Sequence, residues 1–377
     1  MIQHPIIDSA LPNHGSAHPS APHKEHPVLL FNRRAKNASD SIAHHCRRML
    51  GDEYFMSTGS LNDAESACRQ IVQSGYQTVL CGGGDGTMVR TFNIILNYVR
   101  ESNRWREERR NRSGEILPNI AMPVFGFLPL GTGNSLQRVT GTQANQRGIR
   151  TLMDTAHQHT MQLPLLTDGD DHFYFGGFGF DSLLLQHYTS LKDQTQSTFI
   201  KPFVHSVLGY VLAGLGKTLP RMVLGYDYMP EVCVRTRNEA WYVDPRRGDF
   251  LVPIEAGTVL YEGRVGLVGA ATSSLYGYGF KAFPLAGLSQ NRFHLRIATF
   301  GAGRALGQLL PIWRGSYRCH HDMFDFLATD VDIELTKPFA YQHSGDSLGE
   351  RSSLRWRMSQ ESIKLIDAYQ PLFPSMT

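Results

Sequence analysis

Residues Gly82-Gly83-Gly84-Asp85-Gly86-Thr87 stand between a short apolar run and a helical run. Successive glycines let a backbone approach a ligand closely and adopt positive φ angles closed to other residues. Asp85 is a carboxylate in a turn otherwise nearly stripped of side chains. The turn opens into a helix, whose free N–H groups and dipole favour an anion. The pattern predicts a phosphate cradle with one acid group, suited to a nucleotide and its metal. A second turn, Pro129-Leu130-Gly131-Thr132-Gly133-Asn134, again follows a strand, with Thr132 and Asn134 offering hydrogen bonds at a helix start. One such turn can serve merely to fit a tight corner. Two in succession are hard to explain by packing alone.

The elements around these turns alternate. Strands are expected at Val28–Phe31, Tyr54–Met56, Thr78–Cys81 and Pro123–Leu128. Helices are expected over about 39–50, after Asn62 and Asp63 as caps, after the first glycine turn with Phe92, Ile95, Leu96 and Val99 on one face, and from the second turn to about Met153. This order predicts a doubly wound α/β domain, whose ligands sit at the carboxyl ends of the strands, where both turns fall. After about residue 160 the texture changes to short aromatic and β-branched runs split by Gly, Asp, Asn and Pro. Val331-Asp332-Ile333-Glu334-Leu335 alternates cleanly. A mostly antiparallel β domain is expected there, with helices near 200–216 and 302–312. The cleft between the two domains is the default site.

A chain of 377 residues with 41% hydrophobic and 19% charged residues has the make-up of a globular protein with room for two cores. A net charge of +3 gives no argument for nucleic acid as a partner. The five cysteines are odd in number and far apart, which fits a reducing cytoplasm better than a disulfide framework or a zinc site. The N-terminus has no apolar core of a secretory signal; its His, Pro, Ser and Ala content predicts a disordered leader. The longest apolar candidate, Phe203–Leu215, falls short of the roughly 18 to 20 residues a membrane span needs, so any membrane contact is expected to be peripheral.

The two glycine turns, Gly83-Gly84-Asp85-Gly86-Thr87 and Pro129-Leu130-Gly131-Thr132-Gly133-Asn134, resemble those of the diacylglycerol kinase catalytic domain. That family includes the diacylglycerol, sphingosine and ceramide kinases and bacterial lipid kinases. The resemblance extends more loosely through Gly177-Phe178-Gly179-Phe180-Asp181 and covers about 28 to 367. It implies an N-terminal doubly wound α/β nucleotide-binding domain, a C-terminal mostly antiparallel β-sandwich domain, ATP and Mg²⁺ in the cleft, and phosphoryl transfer to a lipid hydroxyl at a membrane surface. The division expected is a leader over 1–26, the nucleotide domain over 27–160, the lipid-substrate domain over 161–355, and a segment over 356–377 returning to the first domain. Gly83, Gly84, Asp85, Gly86 and Thr87 would cradle the phosphates, with Asp85 acting on the metal–phosphate network. Gly131, Thr132, Gly133 and Asn134 would complete the nucleotide site. Asn32 takes the place of the family's Asn-Pro-x-Ser-Gly turn, Thr58 that of a nucleotide-contacting threonine, and Asp181 that of an acid near the lipid head group.

Several positions depart from the family pattern. Asn32 is followed by Arg33-Arg34-Ala35-Lys36, which could bind phosphate or form a solvated turn. Arg90 stands where many members carry Glu, and Ser135 where many carry Asp. The C-terminal Asp-Gly-Glu, whose Asp is the family's proposed base, reads Ser344-Gly345-Asp346 here. Ungapped alignment puts Ser344 at the base position. A shift of two puts Asp346 there, and a carboxylate is the fitter acceptor of a hydroxyl proton. The non-acidic residues at these positions leave open a catalytically weak sensor of nucleotide or lipid. An NAD kinase shares the first turn but typically carries Asn-Asn-Glu, which this chain lacks. The Arg100–Arg112 cluster around Trp105 could hold anionic lipid, and His320-His321-Asp322 is a weak metal signal.

Overall fold

The computed structural model describes residues 24–155, 159–179, 182, 229–276 and 279–369. The leader (apart from residues 24–26), the expected helix near 200–216 and Asp181 lie outside them. Four parallel strands open the chain: β1 (Val28–Asn32), β2 (Phe55–Thr58), β3 (Thr78–Gly83) and β4 (Val124–Pro129), side by side in the order β2-β1-β3-β4. Every residue of β3 is buried, as a central parallel strand covered on both faces requires. Between the strands run α1 (Asp40–Leu50), α2 (Leu61–Ser74) and α3 (Asp85–Ser113). Ser39 and Ser60 cap the first two, and Gly75 in the left-handed region closes α2. The cap of α2 is thus Ser60, with Asn62 and Asp63 in its first turn. The helix expected from the second glycine turn to Met153 is two pieces, α4 (Ser135–Thr140) and α5 (Gln146–Thr155). Gly141, at φ 74°, ends the first.

The rest is antiparallel. β5 (Thr160–Thr167), β6 (His172–Phe173) and β7 (Phe175–Gly179) precede β8 (Glu231–Thr236), β9 (Ala240–Asp244), β10 (Phe250–Ile254), β11 (Val259–Arg264), β12 (Leu267–Ala271) and β13 (Phe293–Ala298). Then come α6 (Ala302–Gly307), α7 (Leu309–Trp313), β14 (Met323–Ala328), β15 (Asp330–His343) and β16 (Asp346–Ile366). One run of strands reads β10-β9-β14-β13-β12-β7-β15. β15 changes partner along its length: Val331–Leu335 pair with β8, whereas Tyr341–His343 pair with β7. The register shift between Glu334 and Phe339 allows that change.

The last strand joins the two regions. β16 pairs first with β15, then with β5, and Leu365 lies beside Phe125 of β4, parallel to it. Leu365 and Ile366 are fully buried in the same core as Phe125 and Val79. Deep in the β region, β13 and β14 bury an ion pair with a histidine beside it. Arg296 donates through Nε and Nη2 to the two oxygens of Asp325 at 2.7 and 3.0 Å, and His294 Nε2 lies 2.9 Å from the same carboxylate. No helix among the described residues is long and apolar enough to cross a membrane.

Candidate active site

Parallel strands deliver their carboxyl ends to one side of the sheet, and the chemistry-bearing residues collect there. Asn32 ends β1. Its Nδ2 donates to Thr87 Oγ1 at 3.0 Å, and its Oδ1 accepts from Arg34 N at 3.0 Å, a local turn that carries the basic pair Arg33-Arg34. Thr58 ends β2 in register with Asn32 and is 4% exposed, its hydroxyl donating to Phe31 O. Directly after it, Asp63 N donates to Ser60 Oγ at 3.1 Å and Gly59 N donates to Asp63 Oδ2 at 2.8 Å. This reciprocal cap points the N-terminus of α2 at the cleft.

The two glycine turns pack against each other. Gly83 O accepts from Leu130 N and Gly131 N at 2.8 and 3.0 Å. A Cβ on Gly131 would stand 2.3 Å from Gly84 Cα, so the second turn admits no side chain there. A Cβ on Gly83 would stand 2.5 Å from the Thr87 side chain. Gly131→Ala should therefore destabilise the protein by about 1–3 kcal/mol, the usual range for overpacking. Urea unfolding checks this, and a variant as stable as the parent would show that the turns are not locked together.

Asp85 is the clamp between them. It is the first residue of α3, 7% exposed, and its two oxygens accept from Ser135 N at 2.9 Å and Leu136 N at 3.1 Å. One carboxylate thus caps the opening N–H groups of α4. Burial raises its pKa above the usual carboxylate range, against the pull of those two N–H groups. Ser135 Oγ lies 2.7 Å from Tyr174 OH beside it. Asn134 sits in the left-handed region at φ 45°, its Nδ2 donating to Gly131 O at 2.9 Å. Thr132 and Gly133 complete the turn and are half-buried. Asn37, which sequence reasoning missed, ties the turn down from the other side. Its backbone N donates to Leu130 O and its Nδ2 to Gly131 O, at 2.9 and 3.0 Å.

The β15–β16 hairpin closes the cleft. Ser344 and Gly345 form its two-residue turn with φ of 50° and 84°, the doubly left-handed form that suits a tight hairpin. This turn distinguishes the two alignments of the C-terminal motif geometrically. Ser344 is 2% exposed, its N donating to Phe175 O, whereas Asp346 projects into the cleft. A Cβ on Gly86 would stand 3.0 Å from the Asp346 carboxylate. Arg90 Nη2 donates to Asp346 Oδ2 at 2.6 Å, from the α3 position where many members of the family it resembles carry Glu. Behind the hairpin, the Phe173 ring stacks on His343 at 4.7 Å, and Asp171 lies 3.4 Å from His343 Nε2. The neighbouring His343 imidazole holds the Asp171 carboxyl below its usual range.

The resulting cleft of about 210 Å³ is lined by Asn32, Arg34, Thr58, Thr87, Arg90 and Asp346 with the first turns of α2 and α3. Two helix N-termini and two guanidinium groups converge on it, an arrangement that favours a multiply charged anion. A protein-held metal fits less well. Among the described residues no group of three His, Cys, Asp or Glu could hold an ion, and both Asp85 oxygens are occupied by α4.

This geometry can be set beside known proteins. Residues 26–164 match the diacylglycerol kinase catalytic domain. The matched span takes in both glycine turns, Asn32, Thr58 and Arg90, and leaves Asp346 to the strands beyond it. Solved structures extend the likeness to 91% of the chain. A diacylglycerol kinase from Bacillus anthracis str. Sterne superimposes with a TM-score of 0.56 at 14% identity, over 91% of this chain and 97% of that one. Another structure from that organism gives 0.60 at 15%, with the same coverage. At such identities the likeness is one of fold. No curated protein matches the sequence.

Proposed function

We propose that the chain is an ATP-dependent lipid kinase that moves the γ-phosphate of ATP to a lipid hydroxyl of the diacylglycerol, sphingoid-base or ceramide type. The observation that carries the reading is a single cleft in which two helix N-termini, Arg34 and Arg90 face the carboxylate of Asp346. Gly86, Thr87 and the first turn of α3 cradle phosphate oxygens, with Asn32 holding the Thr87 hydroxyl in place. Gly131, Thr132, Gly133 and Asn134 shape the adjoining wall. Asp85 acts as a positioning residue, since its carboxylate binds α4 rather than the cleft. Asp346 takes the proton of the lipid hydroxyl as the oxygen–phosphorus bond forms and the bond from ADP to the γ-phosphorus breaks. Arg90 passes from Asp346 to the incoming phosphate, which leaves the carboxylate free to accept that proton. Magnesium would enter with the nucleotide. The chain would work in the cytoplasm, in peripheral contact with the membrane that holds its substrate.

A second reading, a catalytically weak binder of nucleotide or lipid, draws on the same Arg90–Asp346 pair, which neutralises the only carboxylate among the cleft-lining residues. The test is transfer of labelled γ-phosphate from ATP with magnesium to a panel of diacylglycerol, monoacylglycerol, ceramide and a sphingoid base in mixed micelles. The expected result is one labelled lipid class with the parent chain and none with Asp85→Ala, whose clamp is gone. ATP binding without transfer to any lipid would favour the second reading.

A further inference from the structure

From Gly263 to His321 the chain contains no Asp or Glu and carries seven Lys and Arg, of which Arg292, Arg296, Arg304 and Arg318 pair with Glu239, Asp325, Asp322 and Asp249. Within this acid-free stretch lies α7, whose Leu309 and Leu310 are 38% and 58% exposed. Lys281 and Arg314 are exposed beside it, and Lys281 N donates to Trp313 O at 2.9 Å. Gly315 packs the end of the helix against Lys281 and Pro284, so these groups form one tip. An aromatic row joins the tip to the cleft. Trp313 stacks on Phe280 at 5.3 Å, Phe280 meets Tyr276 at 6.0 Å, and Tyr276 meets Phe175 at 4.6 Å. Phe175 O in turn accepts from Ser344 N in the hairpin that presents Asp346.

The geometry points to the α7 tip as the surface that docks on an anionic bilayer. Exposed leucines enter the acyl boundary, while Lys281 and Arg314 meet anionic head groups. Two further exposed apolar side chains, Trp105 and Ile116, fit this partner less well. Trp105 stands toward the far end of α3, roughly 30 Å of helix rise from Asp85. The arginines there are interleaved with Glu101, Glu107, Glu108 and Glu115, and Arg109 is paired with Glu115 at 3.4 Å. The inference deepens the lipid-kinase reading and rests on it for the reason to dock, but its test needs no catalysis.

The full chain is sedimented without ATP against phosphatidylcholine vesicles with and without phosphatidylserine. The parent chain should bind the anionic vesicles preferentially. Leu309→Ser with Leu310→Ser should weaken that binding by about tenfold or more, the scale expected when two leucines no longer leave water. Lys281→Glu with Arg314→Glu should abolish the preference for phosphatidylserine. Trp105→Ala with Ile116→Ser should change nothing. A parent chain that ignores both vesicles overturns the inference, as does a leucine variant that binds like the parent or a loss confined to the Trp105 variant. Circular dichroism of each variant separates lost docking from lost folding. Docking through this tip by a chain that phosphorylates no lipid would remove the kinase reading alone.

Discussion

Asp346→Asn should lower transfer of phosphate to the lipid hydroxyl by about 10²–10⁴-fold, the range by which a positioned base contributes. Asp346 is the one acid among the residues lining the cleft, and it stands beside the N-terminus of α3, the proposed phosphate site. Asparagine keeps its shape and can still accept from Arg90 Nη2, so the hairpin should stay in place. Nucleotide affinity should hold or tighten, because Arg90 loses an anionic competitor at 2.6 Å. The signature is thus a fall in kcat with an ATP KM no higher than that of the parent. Arg90→Ala should do the reverse, raising the KM for ATP while leaving the carboxylate. Steady-state kinetics of both variants check the pair, and an Asp346→Asn enzyme with the parent's kcat would remove Asp346 as the base.

The buried trio of the β region should govern stability in the same decisive way. Asp325→Asn is expected to cost about 3–5 kcal/mol, the scale for breaking a buried ion pair from one side. That is a large share of the ~5–15 kcal/mol by which a folded protein is stable. The side chains of Arg296 and Asp325 are 2% and 5% exposed. Burial alone would raise the Asp325 pKa, but Arg296 and His294 outweigh it and hold the carboxyl far below its usual range. Without that charge Arg296 remains buried and uncompensated. Replacing both partners, Asp325→Leu with Arg296→Met, should recover most of the loss. Urea unfolding measures each change, and a loss below about 1 kcal/mol for the single variant would refute the account.

The same trio sets a pH dependence. Burial holds the His294 pKa below the ordinary value, so the folded protein keeps the ring neutral. The unfolded chain takes up a proton near its ordinary pKa of about 6.5, and stability should therefore be full above that pH and fall as the pH drops below it. His172, also held down chiefly by burial, adds in the same direction. The depressed Asp325 contributes at every pH above the usual carboxylate range, and that contribution is lost only in strong acid. His294→Gln should flatten the slope between pH 7 and 5.

The parts of the site that are local were legible in the sequence. The glycine turns announce themselves by composition, and the strands before them by short apolar runs. The pairing of Asp346 with Arg90 was not legible, because 256 residues separate them and only the hairpin turn brings them together. The engagement of Asp85 by α4 was hidden for a related reason. An acid in a glycine turn reads as facing a ligand, and nothing local shows that a second helix starts against it. The cap of α2 was readable: Ser60 stands three residues before Asp63, the spacing of a reciprocal cap, yet Asn62 and Asp63 drew attention first. The break at Gly141 was marked by its glycine, whereas the change of partners along β15 is a tertiary event that alternation cannot reveal.

β16 ties the order of synthesis to the order of folding. The strand beside β4 is made after both glycine turns and the other described strands. Until residue 366 is available, β4 presents a bare edge, and the core that Leu365 and Ile366 complete stays open. An open parallel edge invites pairing with foreign strands, so the nascent chain is exposed to misassembly until β16 has been made. The segment that matches the family model is also not a unit that can be excised at residue 164. Its sheet is finished by a strand that begins at the Asp346 carboxylate, so closing the sheet and delivering the acid to the cleft are a single event.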